Sequence, residues 1–125
     1  MTDEATILIA DDDEGIRELL RELLDSEGYR VQEATNGAEA IASIAANRPH
    51  AVLMDLMMPV VSGVEATAMI KRDPRTASIP VLAMSAGRNI VALQNDIPAD
   101  DFIAKPFELS TLIAAIAALI SRDRE

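Results

Sequence analysis

The sequence predicts a doubly wound α/β domain, a parallel β-sheet with helices on both faces. Three observations carry that expectation. Short β-type runs, five in all, alternate with helical patterns along the 125 residues, and parallel strands need right-handed crossovers of the kind such helices supply. The third run belongs to the octet VLMDLMMP, apolar but for one carboxylate and a closing proline, as in a strand covered on both faces. Half the residues are hydrophobic, which suits one domain with a core of its own.

Each element has its own signature. TILIA (Thr6 to Ala10) is the first strand. Ile16, Leu19, Leu20, Leu23 and Leu24 then recur at helical spacing, giving an amphipathic helix closed by Gly28. YRVQEA (Tyr29 to Ala34) is the second strand, and Asn36-Gly37 opens a second helix with Ile41 and Ile44 inward, stopped by Asn47-Arg48-Pro49. AVLM (Ala51 to Met54) is the third strand; the helix after it runs from about Gly63 to Arg72 and ends before Pro74. IPVLAM (Ile79 to Met84) and DFIA (Asp101 to Ala104) are the fourth and fifth strands. The helical signal between them is weak, because Gly87, Asn89, Asn95 and Pro98 crowd a short segment. The last helix begins at about Glu108 and is apolar at Leu109, Leu112, Ile113, Ile116 and Ile120.

Composition excludes several classes. Without cysteine there is neither a disulfide framework nor a zinc-thiolate cluster, and a cytoplasmic location is expected. The acidic opening MTDEA is no signal peptide, and the longest apolar run, LIAAIAALI, is too short to cross a bilayer. A net charge of −10 opposes phosphate-backbone binding, so no direct contact with nucleic acid or membrane is expected. One domain, residues 1–125, with no output domain in the chain, is the expected organisation.

In such sheets ligands bind beyond the carboxyl ends of the strands. The first strand ends in Asp11-Asp12-Asp13, the third in Asp55, the fourth in Ser85 and the fifth in Lys105-Pro106, so these polar groups share one edge. The carboxylate of VLMDLMMP is then the group this edge presents. Clustered carboxylates resist joint ionisation unless a divalent cation neutralises them. Mg²⁺ suits the set: it takes oxygen ligands, commonly one or two carboxylates plus a phosphoryl oxygen. A lysine can hold another phosphoryl oxygen, a serine hydroxyl can donate to a third, and a carboxylate can itself be the nucleophile that becomes an aspartyl phosphate.

Four segments in order, ILIADDDEGIRELL, VLMDLMMPVVSG, VLAMSA and DFIAKPF, closely resemble the receiver domains of two-component response regulators, from about Thr6 to Ser121. The resemblance implies a flavodoxin-like (βα)5 sandwich with strand order 2-1-3-4-5. It implies Asp55 as phosphoacceptor, Asp11 and Asp12 as the acidic pair, Ser85 as the switch hydroxyl, Lys105 as the phosphoryl-binding lysine and Phe102 at the aromatic switch position. It further implies Mg²⁺ on Asp12, Asp55 and the backbone carbonyl of Met57, with Asp11 reached largely through water, and a cis bond between Lys105 and Pro106. Met57 and Gly87 stand where some members place polar residues beside the phosphoryl group, and they are expected to tune its lifetime. The implied donor is a histidine kinase or histidine phosphotransfer protein. The domain is then a self-modifying switch with at most autodephosphorylation, not a turnover enzyme. Its report to a partner is expected through the region from Gly87 to Phe102 and the exposed side of the last helix. There Ala114, Ala115 and Ala118, if exposed, would let another helix approach, as a partner or as a second copy in a homodimer through the fourth and fifth helices.

Competing readings are weaker. A phosphatase of the haloacid-dehalogenase type also has Asp-x-Asp after a strand, but wants Thr or Val two residues on, where Gly15 stands. DDDEGIRELLRE does not fit the glycine register of an EF-hand, and the intact five-residue set argues against a pseudo-receiver that serves only as an interaction surface. Asp13 is expected to favour the positive end of the first helix, Met54, Met57 and Met58 to fill gaps, and His50 to be a surface residue.

Overall fold

A computed structural model of the chain describes residues 5–86 and 96–123, with the backbone alone at 122 and 123. Five parallel strands, β1 (Thr6–Ala10), β2 (Arg30–Ala34), β3 (Ala51–Asp55), β4 (Val81–Ala86) and β5 (Asp101–Lys105), form one sheet in the order β2-β1-β3-β4-β5. This is the doubly wound, flavodoxin-like arrangement expected. Helices α1 (Glu14–Ser26), α2 (Gly37–Ala46) and α3 (Gly63–Arg72) follow the first three strands, and a last helix, Leu109–Asp123, follows β5.

Strand alternation divides the core into two layers. Ile7 and Ile9 of β1 and Leu53 of β3 face Leu20 and Leu24 of α1 together with Leu112 and Ile116 of the last helix. On the opposite face, Leu8, Val52 and Met54 meet Ala40 and Ile44 of α2 and Ala66 and Ile70 of α3. β3 is buried at every residue, which accounts for its unbroken apolar run.

Helix starts follow their capping residues. Asp13, Asn36 and Ser62 accept hydrogen bonds from the amides of Ile16, Glu39 and Glu65, each satisfying a donor the first turn leaves free. Beyond the Glu27 cap of α1 the chain turns at Gly28, whose φ of 89° is the left-handed conformation glycine adopts without a Cβ clash.

Several expected boundaries shift. β4 starts at Val81, two residues beyond the expected Ile79, because Pro80 has no N–H to give the ladder; Ile79 is buried all the same. β3 and β5 each extend one residue further than expected, to Asp55 and Lys105, while β2 starts one residue later than Tyr29. Leu19 departs from the inward stripe of α1 and is 48% exposed, since the contact is made by Leu20 and Leu24. Of the three alanines named on the last helix, Ala114 and Ala118 are exposed, whereas Ala115 packs half-buried on the core. His50 is not simply a surface residue. Its Nδ1 accepts the Thr6 amide at 2.9 Å while its own amide donates to the Thr6 carbonyl, closing the entry to β1 and β3. Gly87, Asn89 and Asn95, with most of the expected fourth helical segment, lie outside the described residues.

Candidate functional site: an acidic pocket at the carboxyl edge of the sheet

Register brings the expected residues to one edge. Ala10 lies beside Met54, Asp55 beside Met84, Ser85 beside Ala104 and Ala86 beside Lys105, so the residues that follow or end the central strands converge. One oxygen from each of Asp11, Asp12 and Asp55 lies within 4.8 Å of the others. Lys105 Nζ donates to Asp11 Oδ2 at 2.9 Å and stands 3.6 Å from Asp55 Oδ1. The Lys105-Pro106 bond is cis, as expected.

The three carboxylates have unequal surroundings. Asp12 is exposed, whereas Asp11 is fully buried and Asp55 is 5% exposed. Asp55 thus stands at the edge the sequence indicated, but inside β3 and covered, not presented openly to solvent. Asp11 has a partner on every polar group described for it. Its Oδ1 accepts the Asp13 amide, its Oδ2 accepts Lys105, its amide donates to the Ala34 carbonyl and its carbonyl accepts Arg17 Nη1 at 2.8 Å. Asp55 Oδ1 accepts the Met57 amide at 3.2 Å.

Burial pushes the Asp55 carboxyl up to about 6; the Met57 hydrogen bond opposes this, the charges of Asp11 and then Asp12 add to it, and the Lys105 ammonium counteracts it. Burial alone would lower the Lys105 ammonium, but the hydrogen bond and charge of Asp11, followed by those of Asp55, hold it above the ordinary lysine value. Among the described residues, one lysine thus serves a pocket of three carboxylates and leaves it short of positive charge. A divalent cation with oxygen ligands fits that donor set, with Asp12 and Asp55 the residues best able to hold it, since both oxygens of Asp11 already have partners.

The residues around the pocket differ in exposure. Ser85 is 7% exposed, its hydroxyl donating to the Ala86 carbonyl at 3.3 Å. Phe102 is half-buried against a small cluster of Leu56, Ala83 and Ile97. Met57 is 74% exposed. Gly87 lies outside the described residues. Gly63 was not singled out from the sequence, yet its amide donates to the Leu56 carbonyl, and a Cβ there would overlap the Asp55 carbonyl oxygen. Only glycine lets α3 start so close beneath β3. The strand-helix junction in the sequence marks this position, but the close approach is purely three-dimensional.

Residues 7–117 match the response regulator receiver domain. The chain belongs to that family. Among curated relatives it is 39% identical to the phosphate regulon transcriptional regulatory protein PhoB of Pseudomonas aeruginosa, over 94% of this chain and 52% of the relative. It is 41% identical to the response regulator MprA of Mycobacterium sp. strain KMS, over 93% and 50% respectively. The chain thus spans about half the length of these relatives. Among solved structures, the signal receiver domain of a signal transduction histidine kinase from Syntrophus aciditrophicus superposes with a TM-score of 0.89 at 29% identity, covering 94% of this chain and 90% of that one. The chemotaxis protein CheY4 of Vibrio cholerae gives 0.86 at 26%, covering 94% and 99%. As a receiver domain, the chain is a phosphoacceptor signalling module of two-component systems, a class whose members are generally not turnover enzymes. Among the described residues, no helix is long and apolar enough to cross a membrane.

Proposed function

We propose that Asp55 accepts a phosphoryl group, in the presence of Mg²⁺, from the phosphohistidine of a histidine kinase or histidine phosphotransfer protein. The clustering of Asp11, Asp12 and Asp55, with the Lys105 ammonium set on Asp11 and Asp55, is the observation that carries this reading. An Asp55 oxygen forms a bond to phosphorus as the bond from phosphorus to the histidine nitrogen breaks, and the electron pair returns to the imidazole. At neutral pH Asp55 is ionised, though only about one unit above its midpoint, as a nucleophile must be. Asp12, Asp55 and the Met57 backbone carbonyl, supported by Asp11, would hold Mg²⁺, which would supply positive charge for the phosphoryl oxygens. Lys105 leaves Asp55 for a phosphoryl oxygen while keeping Asp11, and the Ser85 hydroxyl turns from the Ala86 carbonyl toward another. That turn frees the Phe102 ring to repack against Leu56 and Ala83, biasing the surface offered to a partner.

Incubation with acetyl phosphate or a phosphorylated kinase labels the wild type, and Asp55→Asn or EDTA abolishes the label. Undiminished labelling in either case refutes the assignment, and sustained release from p-nitrophenyl phosphate favours a phosphatase. Met57 offers no side-chain hydrogen bond to align a hydrolytic water, so a long-lived phosphoryl group follows. Faster decay in Met57→Asn and Gly87→Glu tests that, and unchanged decay removes the explanation.

A further inference from the structure

We infer that Arg17 is a positioning residue for the acidic pocket, holding the peptide between Asp11 and Asp12 in register through an ion pair to Glu33 of β2. This rests on the Mg²⁺ reading above and assigns a residue outside the pocket to it. Arg17 lies on the first turn of α1, with its side chain only 14% exposed. Nη1 donates to the Asp11 carbonyl at 2.8 Å and Nε to Glu33 Oε1 at 3.3 Å. The other Glu33 oxygen is held by Arg21, through Nε at 2.7 Å, so the carboxylate is gripped from both sides. The neighbouring β2 residue, Ala34, accepts the Asp11 amide at 3.1 Å. Both backbone groups of Asp11 are therefore fastened to the edge strand, one directly and one through Arg17.

That fastening matters because the Asp11 carbonyl belongs to the one peptide plane joining the two acidic residues. Rotating the plane turns the buried carboxylate and the exposed one relative to each other, and an ion with strict octahedral preference tolerates little of that. A guanidinium can hold the carbonyl and Glu33 at once because its donors form a rigid planar fork; a lysine ammonium in its place keeps the charge but not the fork.

Charge and position make opposite demands, which allows them to be separated. As a nearby cation alone, Arg17 would oppose Mg²⁺, and losing it would tighten binding. As a positioning group, its loss weakens binding even when charge is kept. Mg²⁺ affinity, measured by calorimetry on Arg17→Lys, is expected to fall about tenfold, the scale on which outer-shell partners act, with Arg75→Lys, a change at an exposed arginine paired with Asp73, leaving it unchanged. The Asp12 amide nitrogen, whose shift reports the hydrogen bond to the preceding carbonyl, is expected to move in metal-free Arg17→Lys and not in Arg75→Lys. Glu33→Gln, measured in moderate salt, is expected to move the same resonance and weaken Mg²⁺ binding to a smaller extent, and it carries the test if Arg17→Lys does not fold. Wild-type protein that binds no Mg²⁺ overturns the functional reading. Wild type that binds, with Arg17→Lys and Glu33→Gln matching it in affinity and Asp12 shift, overturns only the role of Arg17.

Discussion

Replacing Asp55 by asparagine should stabilise the metal-free protein at neutral pH and do nothing below about pH 4. Burial and the charges of Asp11 and Asp12 raise the Asp55 carboxyl from 3.8 to about 6, so the folded protein holds this proton more tightly than the unfolded chain does. Between those two values the native state binds more protons than the unfolded state, so stability falls as pH rises through that window and the cost is complete above about 6. Two units correspond to roughly 2–3 kcal/mol, a large share of a small domain's margin. Asparagine keeps an oxygen to accept the Met57 amide and stays neutral, so it escapes the cost. Urea unfolding of wild type and Asp55→Asn with EDTA, from pH 4 to pH 8, should give coincident midpoints at the acid end and a variant about 2–3 kcal/mol more stable at pH 7. Mg²⁺ at ten times its dissociation constant should return about 1.4 kcal/mol to the wild type and less to the variant. A wild-type profile flat from pH 4 to pH 7, or a variant less stable at pH 7, would refute the reasoning.

Gly63→Ala should cost about 2–4 kcal/mol in urea unfolding and weaken Mg²⁺ binding, because its Cβ would meet the Asp55 carbonyl and Leu56 Cα, both backbone; unchanged midpoints would mean α3 can slide away. Val60 sits at φ 67°, where a β-branched side chain is strained, and is 82% exposed, so Val60→Gly should raise stability by about 0.5–1 kcal/mol despite glycine's unfolded-state entropy. A lower midpoint would count against that strain. Thr67 buries a hydroxyl with no hydrogen-bond partner, so Thr67→Val, equal in shape, should be neutral or stabilising by about 1 kcal/mol; a clear loss would mean the hydroxyl has a partner. Lys71 donates to the carbonyls of Ala77 and Ile79 and pairs with Asp100 at 2.6 Å, so Lys71→Met should cost about 2–3 kcal/mol, and a cost below 1 would show that water replaces it.

The fold was legible because its signals are local and periodic. An apolar run through β3, leucines at helical spacing in α1 and helix-opening residues at Asp13 and Asn36 each act within a few residues, and the alternation of strand and helix leaves little choice but a parallel sheet. The edge holding Asp11, Asp55, Ser85 and Lys105 followed from the same alternation, since parallel strands put all their carboxyl ends on one side. What that edge does to each group was not legible. That Asp55 is covered and its carboxyl raised, that Lys105 grips Asp11 more closely than Asp55, and that His50 closes two strands depend on packing between distant segments. Gly63 needs to be glycine only because the backbone of Asp55 passes directly over it. Arg17 reads in sequence as one more charge on an amphipathic helix; the third dimension alone sets it between Glu33 and the Asp11 carbonyl. Sequence determines which groups arrive at the pocket, because backbone periodicity is a short-range property. Tertiary structure decides their protonation and partners, because burial and Coulomb energies are set by neighbours far away along the chain.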